Sequence, residues 1–177
     1  KIYCIAAKVI GQDRTEFWTP ETVKFFPAWL VEINAETLIG HNIIGFDLPV
    51  LKKLLGFEWW GDIEDTLVMS RLDNPSRDGG HSLASWGVRM NYPKVLYSDW
   101  THYSEEMKKY CIQDVKVLDK LYRLLDSKDM SEKALELEHK IAEITYQQTL
   151  NGWKFDIRKA SSLLALLKEQ MFLAEDE

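Results

Sequence analysis

The stretch KKYCIQDVKVLDKLYRLL, residues 108–125, reads as one long helix. Apolar side chains recur at Met107, Cys111, Leu118, Leu121, Tyr122 and Leu125, the spacing of one face of a 3.6-residue repeat. Asp114 falls on the same line, between Cys111 and Leu118, and Tyr110 lies one turn earlier on the same side. Such an aspartate has three readings. It is a surface residue on a stripe drawn too wide, a buried carboxylate paired with Arg or Lys, or a metal ligand. An isolated buried carboxylate is expensive, so a buried one needs a partner or a cation.

The rest of the chain narrows the context. Its 177 residues, 46% of them apolar, suit one compact domain with an appendage. No apolar run approaches the roughly 20 residues of a membrane span, and no secretory signal is read, so no membrane partner is expected. Cys4 and Cys111 both lie in apolar segments, which favours buried free thiols in a reducing compartment. A net charge of −6 argues against nucleic-acid binding through charge alone. It leaves room for a local basic groove, or for metal ions that offset phosphate charge. The chain begins at Lys1, inside a strand-like run, which suggests a fragment.

IYCIAAKVI (2–10) is apolar and β-branched, GQDR signals a turn, and TEFWT returns as a paired strand. PETVKFFPAWLVEIN (20–34) is helical, with Pro27 as an interruption. TLIGHN (37–42) is strand-like and runs through a loop into LPVLKKLL, a short helix with Pro49 in its first turn and Gly56 just past its end. DTLVMSRL (65–72) is a capped helix, NPSRDGGH (74–81) a polar loop, and SLASWGVRM (82–90) another short helix. NYPKVLYSDWTHYS is irregular and aromatic. Ser104 then caps the helix that carries Asp114, with Glu105 and Glu106 in its first turn. A helix over roughly 131–150, a turn and short strand at NGWKFD, and a last helix from near Asp156 complete the chain. Strands come first, then strand–helix alternation, then helices. That order indicates an α/β domain with a helical extension from about residue 130.

HNIIGFDLPVL (41–51) places Asp47 after a strand and loop, at the start of a helix. An N-cap aspartate explains that position. So does a carboxylate presented at the carboxyl end of a strand, where α/β sites gather. Asn42 is a turn residue or a substrate hydrogen-bonder, and His41 reads as structural.

Together, H-N-x(4)-D, then D-T-L-V-x-S-R-L, then Y-x(3)-D on a late helix resemble the second and third motifs of the DEDD family of 3′→5′ exonucleases. Tyr110 places the resemblance in the tyrosine (DEDDy) branch, which includes the proofreading domains of A-family, bacteriophage-type DNA polymerases. HSLASWGVRM and LEHKIAEITYQQTLNGWKFD resemble further segments of those polymerases. The resemblance implies a ribonuclease H-like (DnaQ-like) fold, with a mixed central sheet flanked by helices. It implies an exonuclease domain over 1–129 and a helical extension over 130–177 leading toward a covalently following polymerase domain. It also implies hydrolysis of a DNA 3′ end to nucleoside 5′-monophosphates, and work in the cytoplasm of a bacterial host.

Phosphodiester hydrolysis is served by two hard divalent ions about 4 Å apart, held by carboxylates. The resemblance assigns Asp47 and Asp114 as ligands of Mg²⁺ or Mn²⁺ and Tyr110 as the residue that orients the attacking water. The i, i+4 spacing of Tyr110 and Asp114 suits that pairing. Asn42 and Phe46 are the candidate contacts to the unpaired 3′ nucleotide of a single strand, Phe46 by stacking or else as core. Trp59 and Trp60 line a strand groove or pack under the 74–81 loop. Arg71, Arg77, Arg89 and Lys94 are candidate phosphate contacts. The family's first motif, D-x-E on the first strand, is missing. Asp62-Ile63-Glu64 has that spelling but follows WWG and reads as surface acid, as do the closing residues 175–177. Two other readings stand beside this one: a non-catalytic nucleic-acid-binding scaffold of a replication protein, and a stand-alone ribonuclease.

Overall fold

The computed structural model describes residues 1–175; Asp176 and Glu177, read above as solvated acids, lie outside the described residues. The chain forms two compact units, Lys1–Tyr146 and a second that begins at Gln147.

The first unit is mixed α/β. Strand β1 (Ile5–Lys8) turns through Gly11, at φ +87°, into the antiparallel β2 (Thr15–Trp18), with Ile5 opposite Trp18 and Lys8 opposite Thr15. A 3₁₀ turn (Val23–Phe25) then leads into helix α1 (Phe26–Glu32). Pro27 sits in the first turn of α1, where its missing N–H leaves no bond unmade, so it separates the two helical pieces as expected. Strand β3 (Thr37–Gly40) passes through a single π-helical turn (Ile43–Asp47) into α2 (Leu48–Leu55). Gly56, at φ +65°, closes that helix with a left-handed residue.

The segment Asp62–Asp65 is a strand, β4, parallel to β3 with Leu38 opposite Ile63. This corrects its reading as surface acid. Pairing on β3 covers Ile63 and half-buries Glu64, and only Asp62 remains exposed. Helix α3 (Thr66–Asp73) starts under the side-chain cap of Asp65, and α4 (Leu83–Arg89) under that of Ser82. After an irregular segment, α5 (Glu105–Asp126) starts under Ser104, whose Oγ accepts from Met107 N at 3.1 Å. Helix α6 (Glu132–Asn151) follows.

Two apolar clusters hold this unit. Trp18, Val23, Phe26, Leu30 and Leu51 form one, with Trp18 edge-on to Phe26 at 5.1 Å and to Trp29 at 5.0 Å. Met69, Trp86, Leu121 and Leu125 form the other. Trp59 joins the first cluster beside Phe57, while Trp60 is 87% exposed; neither packs under the 74–81 loop.

The expected single mixed sheet is not formed among the described residues. β1 pairs with β2, and β3 with β4, as two separate two-stranded sheets. A strand bonds only to a neighbour about 4.8 Å away. Every residue of β1 and of β3 instead lines one cavity of about 910 Å³, which keeps the two strands apart.

In the second unit, Asp156 Oδ1 accepts from Lys159 N at 3.1 Å and caps α7 (Ile157–Glu175). The expected short strand at NGWKFD is absent: residues 153–156 pair with no strand, and Trp153 and Phe155 are exposed. A strand needs an edge to pair with, and alternating aromatics do not supply one.

Leu121→Ala removes a side chain with no solvent exposure from the second cluster. The expected cost is about 2–5 kcal/mol of unfolding free energy, read by chemical denaturation.

Candidate functional site

The deepest line of α5 is Val117, Leu121 and Leu125, each fully buried at i, i+4 spacing. Val117 was not on the line drawn from sequence. Tyr110, Cys111, Asp114, Leu118 and Tyr122 lie beside that line, half-buried, and all five face the cavity. The apolar stripe therefore has two parts, one in the core and one on a cavity wall, and Asp114 belongs to the wall.

The Asp114 carboxylate has one strong partner. Lys94 Nζ lies 2.7 Å from its Oδ2, and both side chains are mostly covered. Asp114 Oδ1 is buried and accepts no hydrogen bond. The same ammonium donates to Tyr110 Oη at 2.6 Å and sits 4.6 Å from the Tyr110 ring centroid. Burial raises the Asp114 pKa, and Lys94 works against that rise. Burial alone would lower the Lys94 pKa; its bonds to Asp114 and Tyr110 outweigh this and hold it above the usual lysine value. Of the sequence alternatives, the aspartate paired with a lysine is the arrangement present.

Lys94 arrives on the irregular segment 91–103, which lies along α5. Tyr97 and Trp100 pack on Tyr110 with ring centroids at 5.8 Å and 5.4 Å, and Gln113 Nε2 donates to Pro93 O at 3.2 Å. Of the other candidate phosphate contacts, Arg77 pairs with Asp73 and lies 4.4 Å over Trp86. Arg89 lies 5.2 Å over the same ring and donates to Asp78 O and Gly80 O. Those two brace the 74–81 loop, and Arg71 is exposed. Only Lys94 converges on Asp114 and Tyr110.

The turn carrying Asp47 is built by Asp65, a residue that reads from sequence as no more than a cap. Its fully buried carboxylate accepts from Leu67 N at 2.9 Å, which caps α3. It also accepts from Asn42 N at 2.7 Å and Ile44 N at 3.2 Å, which clasps the π-helical turn. Its own N–H donates to His139 Nε2 at 2.8 Å, and His139 Nδ1 donates to Leu135 O at 2.8 Å. The two bonds set the His139 tautomer. Asn42 takes φ +65°, a left-handed conformation in which asparagine is better tolerated than most residues.

From this turn Phe46 and Asp47 reach the cavity. Phe46 is 62% exposed, so it is not core packing. Asp47 is an exposed residue that lines the cavity; burial of its carboxyl against the turn raises its pKa to about 6, and the nearby Asp65 carboxylate adds to the rise. Asn42 is exposed and does not line the cavity; its backbone serves the Asp65 clasp. His41 bonds Thr66 Oγ1 at 2.9 Å, and burial depresses its pKa, in keeping with a structural role. No sequence signal marks Glu64 as reaching the cavity, where Tyr122 is its hydrogen-bond partner. Cys4 and Cys111 are free, half-buried and mutually hydrogen-bonded between the start of the chain and α5.

Asp47, Tyr110 and Asp114 thus share one cavity with Phe46 and Glu64. Carboxylate oxygens, one of them buried without a partner at Asp114 Oδ1, suit a hard divalent cation in kind. The shell they offer is partial: among the described residues no three acid, His or Cys side chains group closely enough to hold a metal ion.

No family model matches the chain. The curated DNA-directed DNA polymerases of Escherichia phage T7 and Enterobacteria phage T3 are each 26% identical to it over 204 residues, covering 78% of this chain and 29% of theirs. The chain is therefore similar to a region of a phage DNA polymerase, and it spans less than a third of the relatives' length. Among its described residues no helix is long and apolar enough to cross a membrane.

Asp65→Ala leaves three backbone N–H groups without their acceptor, at about 1–3 kcal/mol for each buried one. Amide exchange at Asn42, Ile44 and Leu67 is expected to accelerate ahead of the core of α5. Asp47 gives a pH test. Its folded pKa is raised, so its contribution to stability is present below about pH 4 and is lost as pH rises through about 6. In urea titrations, the stability of Asp47→Asn relative to wild type is expected to increase across that window.

Proposed function

We propose that the chain is the 3′→5′ proofreading exonuclease region of a bacteriophage-type A-family DNA polymerase, built on a ribonuclease H-like fold. It would remove nucleoside 5′-monophosphates from a single-stranded DNA 3′ end, in a bacterial host's cytoplasm. The observation that carries the reading is the convergence of Asp47, Tyr110 and Asp114, from two distant motifs, on one cavity. Similarity to two phage DNA polymerases supports it independently.

The lining of the cavity adds support: it includes every residue of β1 and of β3, which belong to two separate strand pairs. In the exonuclease family that this chain resembles, the D-x-E carboxylates ride on a strand. A strand in this slot would join β1 to β3 as one mixed sheet and bring further carboxylates to Asp47 and Asp114. The exposed leucines of α7, Leu163, Leu164, Leu166 and Leu167, suit contact with a following polymerase domain.

In the reaction, Asp47 and Asp114 would hold Mg²⁺ or Mn²⁺ through carboxylate oxygens. The ion, when bound, supplies an activated water and offsets the phosphate charge. Tyr110, one turn from Asp114, would orient that water through its hydroxyl. Phe46, exposed on the cavity rim, would stack on the terminal base without regard to its identity. Asn42 would hydrogen-bond the terminal nucleotide through its exposed side chain.

The test is Mn²⁺-dependent release of mononucleotides from a 3′-labelled single strand by the full native polypeptide. Asp114→Ala is expected to abolish release. Tyr110→Phe is expected to slow it roughly tenfold or more while leaving Mn²⁺ affinity unchanged. Strand binding without any release by the wild type would favour the scaffold reading instead.

A further inference from the structure

We infer that Cys4 and Cys111 are a reversible disulfide site, closed by exchange with a low-molecular-weight disulfide such as oxidised glutathione, which staples the helix bearing Tyr110 to the first strand. The inference stands apart from the exonuclease reading and needs no metal. Three observations point to it. The two thiols are free and half-buried, and the Cys111 S–H donates to the Cys4 sulfur. The Cys111 sulfur also accepts from the Ala6 N–H. Residues 4 and 6 share one face of an extended chain, so both contacts place that sulfur against the same side of β1. The register of the two elements agrees. Lys8 Nζ meets Asp119 Oδ2 at 2.7 Å. From Cys4 to Lys8 an extended chain rises about 13 Å. From Cys111 to Asp119 a helix rises about 12 Å. β1 and α5 therefore run side by side, tied at one end by the ion pair and meeting at the other through the cysteines.

The chemistry is thiol–disulfide exchange. Both cysteines line the cavity of about 910 Å³, which gives a small reagent a route to them. Cys4 is the attacking sulfur. The bond from Cys111 holds its pKa below the usual thiol value, whereas that same bond, with burial, pushes Cys111 up. The Cys4 thiolate attacks one sulfur of the reagent. The reagent's S–S bond breaks, one small thiolate leaves, and Cys4 carries the other half as a mixed disulfide. Cys111 gives its proton to the released thiolate and attacks the Cys4 sulfur. The second small thiolate leaves and takes a proton from water. Two protein thiols are oxidised by two electrons, and one small disulfide is reduced to two thiols. The bridge joins positions 4 and 111. Closing so long a loop constrains the unfolded chain.

The test exposes the full native polypeptide to oxidised glutathione, blocks the remaining thiols by alkylation and maps the peptides by mass spectrometry. The peptides holding Cys4 and Cys111 are expected to appear joined, and a dithiol to separate them. In urea the joining is expected to slow roughly tenfold or more, because the fold no longer holds the sulfurs together. Cys111→Ser is expected to leave Cys4 carrying glutathione, and Cys4→Ser to leave Cys111 roughly tenfold slower to react. Circular dichroism checks that both variants are folded; the wild-type measurement needs neither. The oxidised chain is expected to melt roughly 5 °C or more above the reduced one. Separate adducts on the two cysteines, joining to other cysteines, or equal rates with and without urea overturn the inference. An unchanged melting midpoint overturns the stapling. None of these outcomes bears on the exonuclease reading, which falls or stands on release of mononucleotides.

Discussion

The Asp65 carboxylate is the point on which the site's geometry depends. A single buried side chain ends β4, caps α3 and accepts two N–H bonds from the turn after β3. That turn contains a left-handed Asn42 and a π-helical stretch, neither of which is stable by itself. Charge-assisted bonds to backbone N–H groups are among the stronger ones a protein makes, and burial strengthens them further. They hold the start of α2 where Asp47 and Phe46 reach the cavity. His139 on α6 completes the arrangement by accepting from the Asp65 N–H, so a late helix is tied to the same junction.

Around that junction the molecule sets core against cavity. Helix α5 serves both. Val117, Leu121 and Leu125 are fully buried, the last two in the second cluster, and the adjacent line from Tyr110 to Tyr122 lines open space. The polar groups on that wall are individually accommodated: Asp114 by Lys94, Glu64 by Tyr122, and Asp119 by Lys8 at 2.7 Å. Asp47 is the exception. Its pKa is raised to about 6, and it has no cationic partner among the described residues.

Much of the local structure was legible in the sequence because its causes are local. Ser104 caps a helix, Gly56 ends one, Pro27 divides another, and β-branched runs pair across a Gly11 turn, all within a few residues of the signal. The failures were non-local. DIED has little β-propensity as a word, and becomes a strand only because β3 lies parallel to it. Trp153 and Phe155 look like strand residues and have no edge to join. Phe46 was balanced between core and surface until the fold exposed it.

Helix α5, the Tyr110–Asp114 register on it, the turn-to-helix position of Asp47 and the family resemblance of those motifs are all readable along the chain. Periodicity, caps and i, i+4 spacing need no distant partner to be read. Packing settles the rest: Asp114 faces a cavity rather than the core, Lys94 is the basic residue paired with it among the described residues, and Asp65 governs the turn bearing Asp47. Those facts depend on residues 20 or more positions apart meeting across packed elements: Lys94 against Asp114, and Asp65 against Asn42. A linear pattern does not encode which of several lysines or aspartates the packing will bring together. The pairing of β1 with β2 and of β3 with β4, as separate sheets among the described residues, is likewise a property of the fold, because a strand's neighbours are chosen in space and not along the chain.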